Sequence, residues 1–230
     1  MILAWIETHN GSANPMSWEA LGAARQLADG FGLPVAAAVF GQNASAIAAE
    51  AGKYGASKVF VCDDATLHAD RLEPYAALLS HIVKEQQPKA VVAVATTLGR
   101  ELLAASAADC DAGLLSDAVE LKVNADAVSV IRPVYAGKLL SEVTGAGATT
   151  FVTIRKRAFK APDASSGAPE VINVAPVLGE DQIGVKVESF SAESGTVNLS
   201  DAAIIVSGGR GVANNPKEAP AGTAAADVWK

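Results

Sequence analysis

Two cysteines in 230 residues, Cys62 and Cys110, are too few for a disulfide framework or a cysteine metal set. Reduced, intracellular thiols that serve as small packing residues are the simpler expectation. Three histidines, His9, His68 and His81, stand far apart and share no ligand spacing with cysteines or carboxylates. No GxSxG elbow, Walker lysine or GxGxxG pattern occurs, so none of these motifs points to hydrolytic, P-loop or Rossmann chemistry. Positive charge is scarce: the net charge is −7, and the only basic cluster is Arg155-Lys156-Arg157. That balance argues against a general nucleic-acid binder, which needs clustered lysine and arginine to neutralise phosphates. No uninterrupted apolar run approaches the roughly 18 residues of a membrane span, so no membrane insertion is expected. The opening Met1-Ile2-Leu3-Ala4-Trp5-Ile6 has no basic flank and runs at once into Glu7 and His9, so it reads as a first strand rather than a signal. With no transit peptide expected, the predicted location is a bacterial or archaeal cytoplasm.

What the chain has is alanine, valine and alternation. Hydrophobic residues make up 50% of it and the mean hydropathy is +0.25, ample for a sizeable core. From Ile2 to about Ala108, short β-like runs alternate with helical stretches. Strands are expected at 2–6, 35–40, 58–62 and 90–95, and helices at 17–30, 45–54, 73–87 and 99–108, with Ser17 as the first N-cap. Four βα units in succession predict an open parallel sheet with helices on both faces, since a barrel needs eight. Further on, 118–123, 129–135, 139–144 and 150–154 are β-type runs with no helix between them, linked by turn signals at Asn124-Ala125-Asp126 and Ala136-Gly137. They predict an antiparallel β extension added to the same sheet. Residues 160–169, rich in Ala, Ser, Pro and Gly, read as a mobile loop, and 184–191 as one more strand. An α/β scaffold domain over 1–190, a linker over 191–199 and the start of a second domain over 200–230 complete the expected layout.

Open α/β sheets bind ligands in loops at the carboxyl ends of their strands. Thr8-His9-Asn10-Gly11-Ser12-Ala13-Asn14 could cradle a phosphate before the first helix, or be an ordinary turn and cap. Thr96-Thr97-Leu98-Gly99-Arg100 could hold an anion at the next helix N-terminus; alternatively a threonine caps the helix and Arg100 pairs with a carboxylate. Asp117, after Ser116, is either catalytic or a turn residue. Arg155-Lys156-Arg157 is a solvated strand end or a charged surface at a subunit or domain contact. Late in the chain, Ile204-Ile205-Val206 breaks into Ser207-Gly208-Gly209-Arg210-Gly211, the form of a buried parallel strand opening into a loop that can approach a ligand closely.

Four stretches carry a family resemblance: Thr97–Leu103 with Leu115-Ser116-Asp117, Arg132–Gly137, Thr150–Arg155, and Ile204–Gly211. On these the chain resembles the α subunit of electron transfer flavoproteins. The resemblance implies a first domain that binds no cofactor and packs against a β subunit, which holds AMP in most members. It implies a second, flavodoxin-like domain that carries FAD and passes single electrons from acyl-CoA or other flavin dehydrogenases to a quinone reductase or other acceptor, as in fatty-acid β-oxidation. Such a protein is an electron carrier rather than a catalyst with its own substrate. Ser207, Gly208, Gly209, Arg210 and Gly211 then correspond to the cofactor-binding turn, with Arg210 beside the isoalloxazine ring. A guanidinium there favours the negative charge gained on one-electron reduction. At ~4 Å and an effective dielectric of ~20 the attraction is ~4 kcal/mol, which at about 59 mV per tenfold change bounds the effect on potential at roughly 170 mV.

The turns that should complete an FAD site are missing from the sequence. From Ser200 to Lys230 there are 31 residues, against about 100 for a typical domain, so the expectation is a truncated start of the FAD domain. Two further readings stay open: a flavin-free scaffold that only docks a β subunit, and a stand-alone adenine-nucleotide-binding α/β domain that uses Thr8–Asn14.

Overall fold

A computed structural model describes residues 1–9, 11–189, 202 and 204–209. The chain divides into two compact units, Met1–Val187 and Glu188–Lys230. The first is built on β1 (Ile2–Ile6), α1 (Ser17–Phe31), β4 (Val35–Gly41), α2 (Ser45–Lys53), β5 (Lys58–Asp63), α3 (Leu72–Gln86), β6 (Ala90–Val94) and α4 (Thr97–Asp109). Between β1 and α1 lie two short strands, β2 (Thr8–His9) and β3 (Ser12–Ala13), that pair with each other. After α4 follow β7 (Gly113–Ala118), β8 (Glu120–Asn124), β9 (Ala127–Val134), β10 (Leu139–Thr144), β11 (Thr150–Ile154) and β12 (Glu170–Asn173).

Seven strands form one parallel sheet in the order β12-β5-β4-β1-β6-β11-β7. Its central strands are apolar on both sides because both faces are covered. Ile2, Ala4 and Ile6 join α1 and α2 in one core, while Leu3 and Trp5 join α3 and α4 in the other. Small side chains in β4, Val35-Ala36-Ala37-Ala38-Val39, leave room for larger ones such as Trp5, Phe40 and Tyr75, all buried. Tyr75 meets both aromatic rings edge-on.

The β-rich section departs from the sequence expectation. β8, β9 and β10 make a separate three-stranded antiparallel sheet. The run 150–154 is not part of that sheet: β11 returns to the main one, parallel to both β6 and β7. The reason is burial. Thr150–Ile154 is buried at every position, as befits an interior parallel strand, whereas β10 is exposed or half-buried throughout.

From β11, second from one edge, the chain must reach β12 at the other. Five strand spacings of ~4.8 Å are about 24 Å, within reach of an extended segment between residues 155 and 169. That segment is tied down, not loose. Gly22 of α1 admits the Lys160 carbonyl and Gly52 of α2 admits Pro169, and Ser165 donates from both its backbone N–H and its hydroxyl to the Lys53 carbonyl. Its start is fixed by the Arg157 N–H, which donates to Glu19 on α1.

Residues 184–189 form no strand. The extra strand is instead β12, whose Glu170 pairs with Lys58 across the edge. Beyond it, side chains do the fastening. Buried Arg71 donates two hydrogen bonds to Glu180 and one to the Val185 carbonyl, and Glu73 accepts from the Gly184 and Val185 N–H groups. The expected linker at 191–199 lies outside the described residues.

Candidate functional site

The order of strands reverses between β1 and β6, and the crevice outside their carboxyl ends is where such a sheet offers an anion seat. Glu7 and Thr96 face each other across it. The Thr96 hydroxyl donates to Glu7 Oε2 at 2.5 Å and accepts from the Gly99 N–H at 2.9 Å, capping α4. Asn14 Nδ2 donates to Glu7 Oε1 at 3.2 Å, and the Glu7 N–H donates to Ser17 Oγ at 3.0 Å. Ser17 therefore ties α1 to the end of β1 and is not its N-cap; that position is Met16, with no side-chain cap bond. The Glu7 carboxylate sits between two helix N-termini, where a phosphate would gain from the same dipoles. Of the two readings of Thr8–Asn14, the ordinary turn fits, because Glu7 already takes the donors of Asn14 and Thr96 at this anion seat.

A second, open cavity of about 450 Å³ lies beside it at the same end of the sheet, lined by Ala95, Arg100, Ser116, Asp117, Arg132, Arg155 and Lys156. Asp117 has φ 63° at an irregularity of β7 against β11, where its N–H donates to Thr153 Oγ1 at 3.0 Å. Its carboxylate accepts from Arg155 Nε at 3.0 Å and Nη2 at 2.6 Å, a bidentate pair. The Arg155 hydrogen bonds hold the Asp117 carboxyl below the usual carboxylate range, with the charges of Arg155, Arg132 and Arg100 acting in the same direction. Arg155 thus has a specific partner, Asp117 is neither a cap nor a simple turn residue, and Arg100 Nε donates to the Thr96 carbonyl at 3.3 Å. The sequence places Arg100, Asp117 and Arg155-Lys156 at separate strand and helix ends; the fold brings them together. Arg132, on β9, is the lining residue that sequence reading left out of the candidate sites.

A group whose folded-state pKa is depressed adds stability that is present above its unfolded value and lost as pH falls through the folded one. Asp117→Asn is therefore expected to lower the melting temperature near pH 7, and its gap from the wild type should close on acidification below about pH 4. Melting curves between pH 7 and pH 2 check this. A gap unchanged at the acid end would show that the carboxylate charge is not what matters.

Ser207, Gly208 and Gly209 are exposed, with nothing within 4 Å of where a Cβ on Gly209 would stand. Ile204, Ile205 and Val206 before them are 85%, 57% and 94% exposed and form no strand, which corrects the buried parallel strand expected there. A parallel strand exists through neighbours that take its N–H and C=O groups, and no described strand pairs with these residues. Arg210 and Gly211 lie outside the described residues. Among the described residues no group of three or more His, Cys, Asp or Glu side chains could hold a metal, and no helix is long and apolar enough to cross a membrane.

A family model described as the electron transfer flavoprotein domain matches residues 2–178, which contain every strand and helix named above. The chain belongs to the electron transfer flavoprotein family. It is 35% identical to FixB of Azorhizobium caulinodans over 92% of its own length and 59% of that protein's. It is 35% identical to subunit LctC of the lactate dehydrogenase (NAD(+),ferredoxin) of Acetobacterium woodii over 92% of this chain and 51% of that one. To the electron transfer flavoprotein subunit alpha of Bacillus subtilis it is 31% identical over 90% of this chain and 63% of the relative. The chain thus spans between 51% and 63% of the length of these relatives. Of the four stretches on which the electron transfer flavoprotein resemblance rests, three place a residue in the basic cavity: α4 with β7, β9, and β11 with the residue after it.

Proposed function

We propose that this protein acts as the α subunit of an electron transfer flavoprotein, carrying single electrons on FAD from acyl-CoA or other flavin dehydrogenases to a quinone reductase or other acceptor. On this reading it is a cytoplasmic electron carrier, it works as a heterodimer with a β subunit that holds AMP, and fatty-acid β-oxidation is one setting for it. Residues 1–190 are then the scaffold domain, 191–199 the linker and 200–230 the start of the flavodoxin-like FAD domain. The observation that carries the reading is the family match over residues 2–178.

Two features of the chain support the division of labour. In the scaffold, the switch-point crevice holds Glu7, so a nucleotide gains nothing there that the carboxylate has not already taken. In contrast, Ser207-Gly208-Gly209 is exposed, and among the described residues nothing stands within 4 Å of where a Cβ on Gly209 would be, which suits the close approach of a flavin edge. Three such residues cover only one edge of a dinucleotide, so the remaining contacts come from elsewhere in the assembled protein. FAD supplies the one-electron chemistry when bound. Ser207–Gly211 would orient the ring, and Arg210 would hold positive charge beside it.

The flavin-free reading, in which the scaffold only docks a β subunit, draws on one further feature. Tyr135, Leu139 and Leu140 crowd the end of the β9–β10 hairpin and are 76%, 57% and 67% exposed. Exposed apolar side chains at the end of a hairpin on an otherwise acidic chain suit a partner protein. Both readings therefore use the hairpin as the face for the β subunit.

Purification of the full-length protein, with a complete FAD domain, together with its β subunit separates them. The expected product is a yellow heterodimer in which Arg210→Ala lowers the flavin reduction potential by up to roughly 170 mV. A colourless heterodimer would reject the flavin reading, and an unchanged potential would reject the role of Arg210.

A further inference from the structure

The basic cavity at the carboxyl ends of β6, β7 and β11 has no part in the reading above. It sets four cations, Arg100, Arg132, Arg155 and Lys156, against one carboxylate, Asp117, on a chain whose net charge is −7. Two of Arg155's donors are committed to that carboxylate. Arg100 spends its Nε on a backbone carbonyl, which neutralises nothing. Arg132 comes from the separate antiparallel sheet, and its Nε is buried without a hydrogen-bond partner. A guanidinium donor buried without an acceptor is costly unless something supplies one. Like charges brought together from α4, β9 and the end of β11 repel one another, and a lone carboxylate offsets one of them. The arrangement is stable in the presence of a counter-charge, and a cleft lined by one sign of charge concentrates ions of the other.

We infer that this cavity is a binding site for a small phosphate-bearing anion, held by Arg132, Arg100 and Lys156, with Asp117 restraining Arg155 at its edge. Three considerations select the phosphate class. The unbalanced charge of the lining is three, close to that of a pyrophosphate group and more than a single carboxylate neutralises. Guanidinium forks match phosphate oxygens in paired hydrogen bonds. At about 450 Å³ the space exceeds what a single monatomic ion needs. The site is distinct from the Glu7 crevice, where a carboxylate already occupies the anion seat. It does not depend on flavin binding.

Inorganic pyrophosphate is the probe, titrated calorimetrically into the full chain at fixed ionic strength, with sodium chloride as the blank. Saturable binding is expected, weakened at least tenfold by Arg132→Gln and several-fold by Lys156→Gln, and left unchanged by Lys84→Gln at the opposite end of the sheet. Asp117→Asn removes the competing carboxylate and should tighten binding, a gain that a folding defect would not produce. ADP in place of pyrophosphate distinguishes the source: equal or tighter binding assigns the site to a nucleotide, and weaker binding to the free anion. Heats no larger than the chloride blank, or an Arg132→Gln chain that binds as well as the wild type, would overturn the proposal.

Discussion

Replacing Gly99 by alanine is expected to cost about 3 kcal/mol of folding stability, the upper part of the range for overpacking a buried position. Gly99 lies in the first turn of α4, where a Cβ would stand 2.2 Å from the Val94 carbonyl oxygen and 3.0 Å from Thr96 Oγ1. Neither neighbour can retreat cheaply. The Val94 carbonyl accepts the Thr96 N–H in the turn that joins β6 to α4, and the Thr96 hydroxyl is committed to both the Gly99 N–H and Glu7. For a unit of this size the loss corresponds to a fall in melting temperature of roughly 6–12 °C. Gly32→Ala is the comparison. Gly32 has φ +66° with nothing within 4 Å of its absent side chain, so alanine there meets backbone strain alone, about 1 kcal/mol. Urea unfolding of both variants decides the matter: equal midpoints would mean that the strand and helix can part to admit a methyl group. The sequence offers Gly99 as an anion-holding glycine, but its role is close packing.

Much of the scaffold is legible in the amino-acid order because burial writes a clear pattern there. Runs such as Ala90–Val94 and Val35–Phe40 are apolar throughout, as parallel strands covered on both faces must be, and the helices between them begin and end within about two residues of expectation. The same rule applied to Thr-Phe-Val-Thr-Ile at 150–154 separates β11 from the alternating β8–β10; position in the chain, after three antiparallel strands, is what misleads. The segment between β11 and β12 looks loose by composition. The signal that it is not lies in the helices beneath, since Gly22 and Gly52 each cost a helix interior about 1 kcal/mol relative to alanine and are there to let backbone or proline approach. β12 is four residues long and pairs with β5 more than 100 positions earlier, a contact that no local pattern encodes. The basic cavity illustrates the same limit. Arg100 and Arg155 follow from the rule about strand ends, but Arg132 enters from a separate sheet whose placement no periodicity reveals. Ile204–Val206 is the converse case, an apolar run with the composition of a strand and no described neighbour to pair with.

Exchanging Tyr135-Ala136 for Asn-Gly is expected to stabilise the scaffold by about 1 kcal/mol and to weaken association with the β subunit at least tenfold. The two residues follow β9 with φ 51° and 54°, and the Gly137 N–H closes the turn onto the Val134 carbonyl at 3.1 Å. Two consecutive left-handed residues are the mark of a type I′ turn, for which Asn-Gly is the preferred pair. A tyrosine and an alanine there bear a steric cost of roughly 1–2 kcal/mol each. Part of that gain is cancelled because glycine also makes the unfolded chain more flexible. A hairpin that keeps this strain while leaving an aromatic ring exposed is keeping the ring for something, and strained backbone of this kind gathers at binding sites. Under the proposed function that something is the β subunit. Tyrosine is prominent among residues that anchor interfaces, and losing one at the centre of a contact costs about 2 kcal/mol or more, roughly thirtyfold in affinity. Leu140→Ser tests the same hairpin end without touching the turn: it should weaken association and leave the melting temperature nearly unchanged, since Leu140 is largely exposed. Opposite signs in stability and affinity for the Asn-Gly variant identify the hairpin as a docking element. Stabilisation with undiminished affinity would place the β subunit on another face of the scaffold.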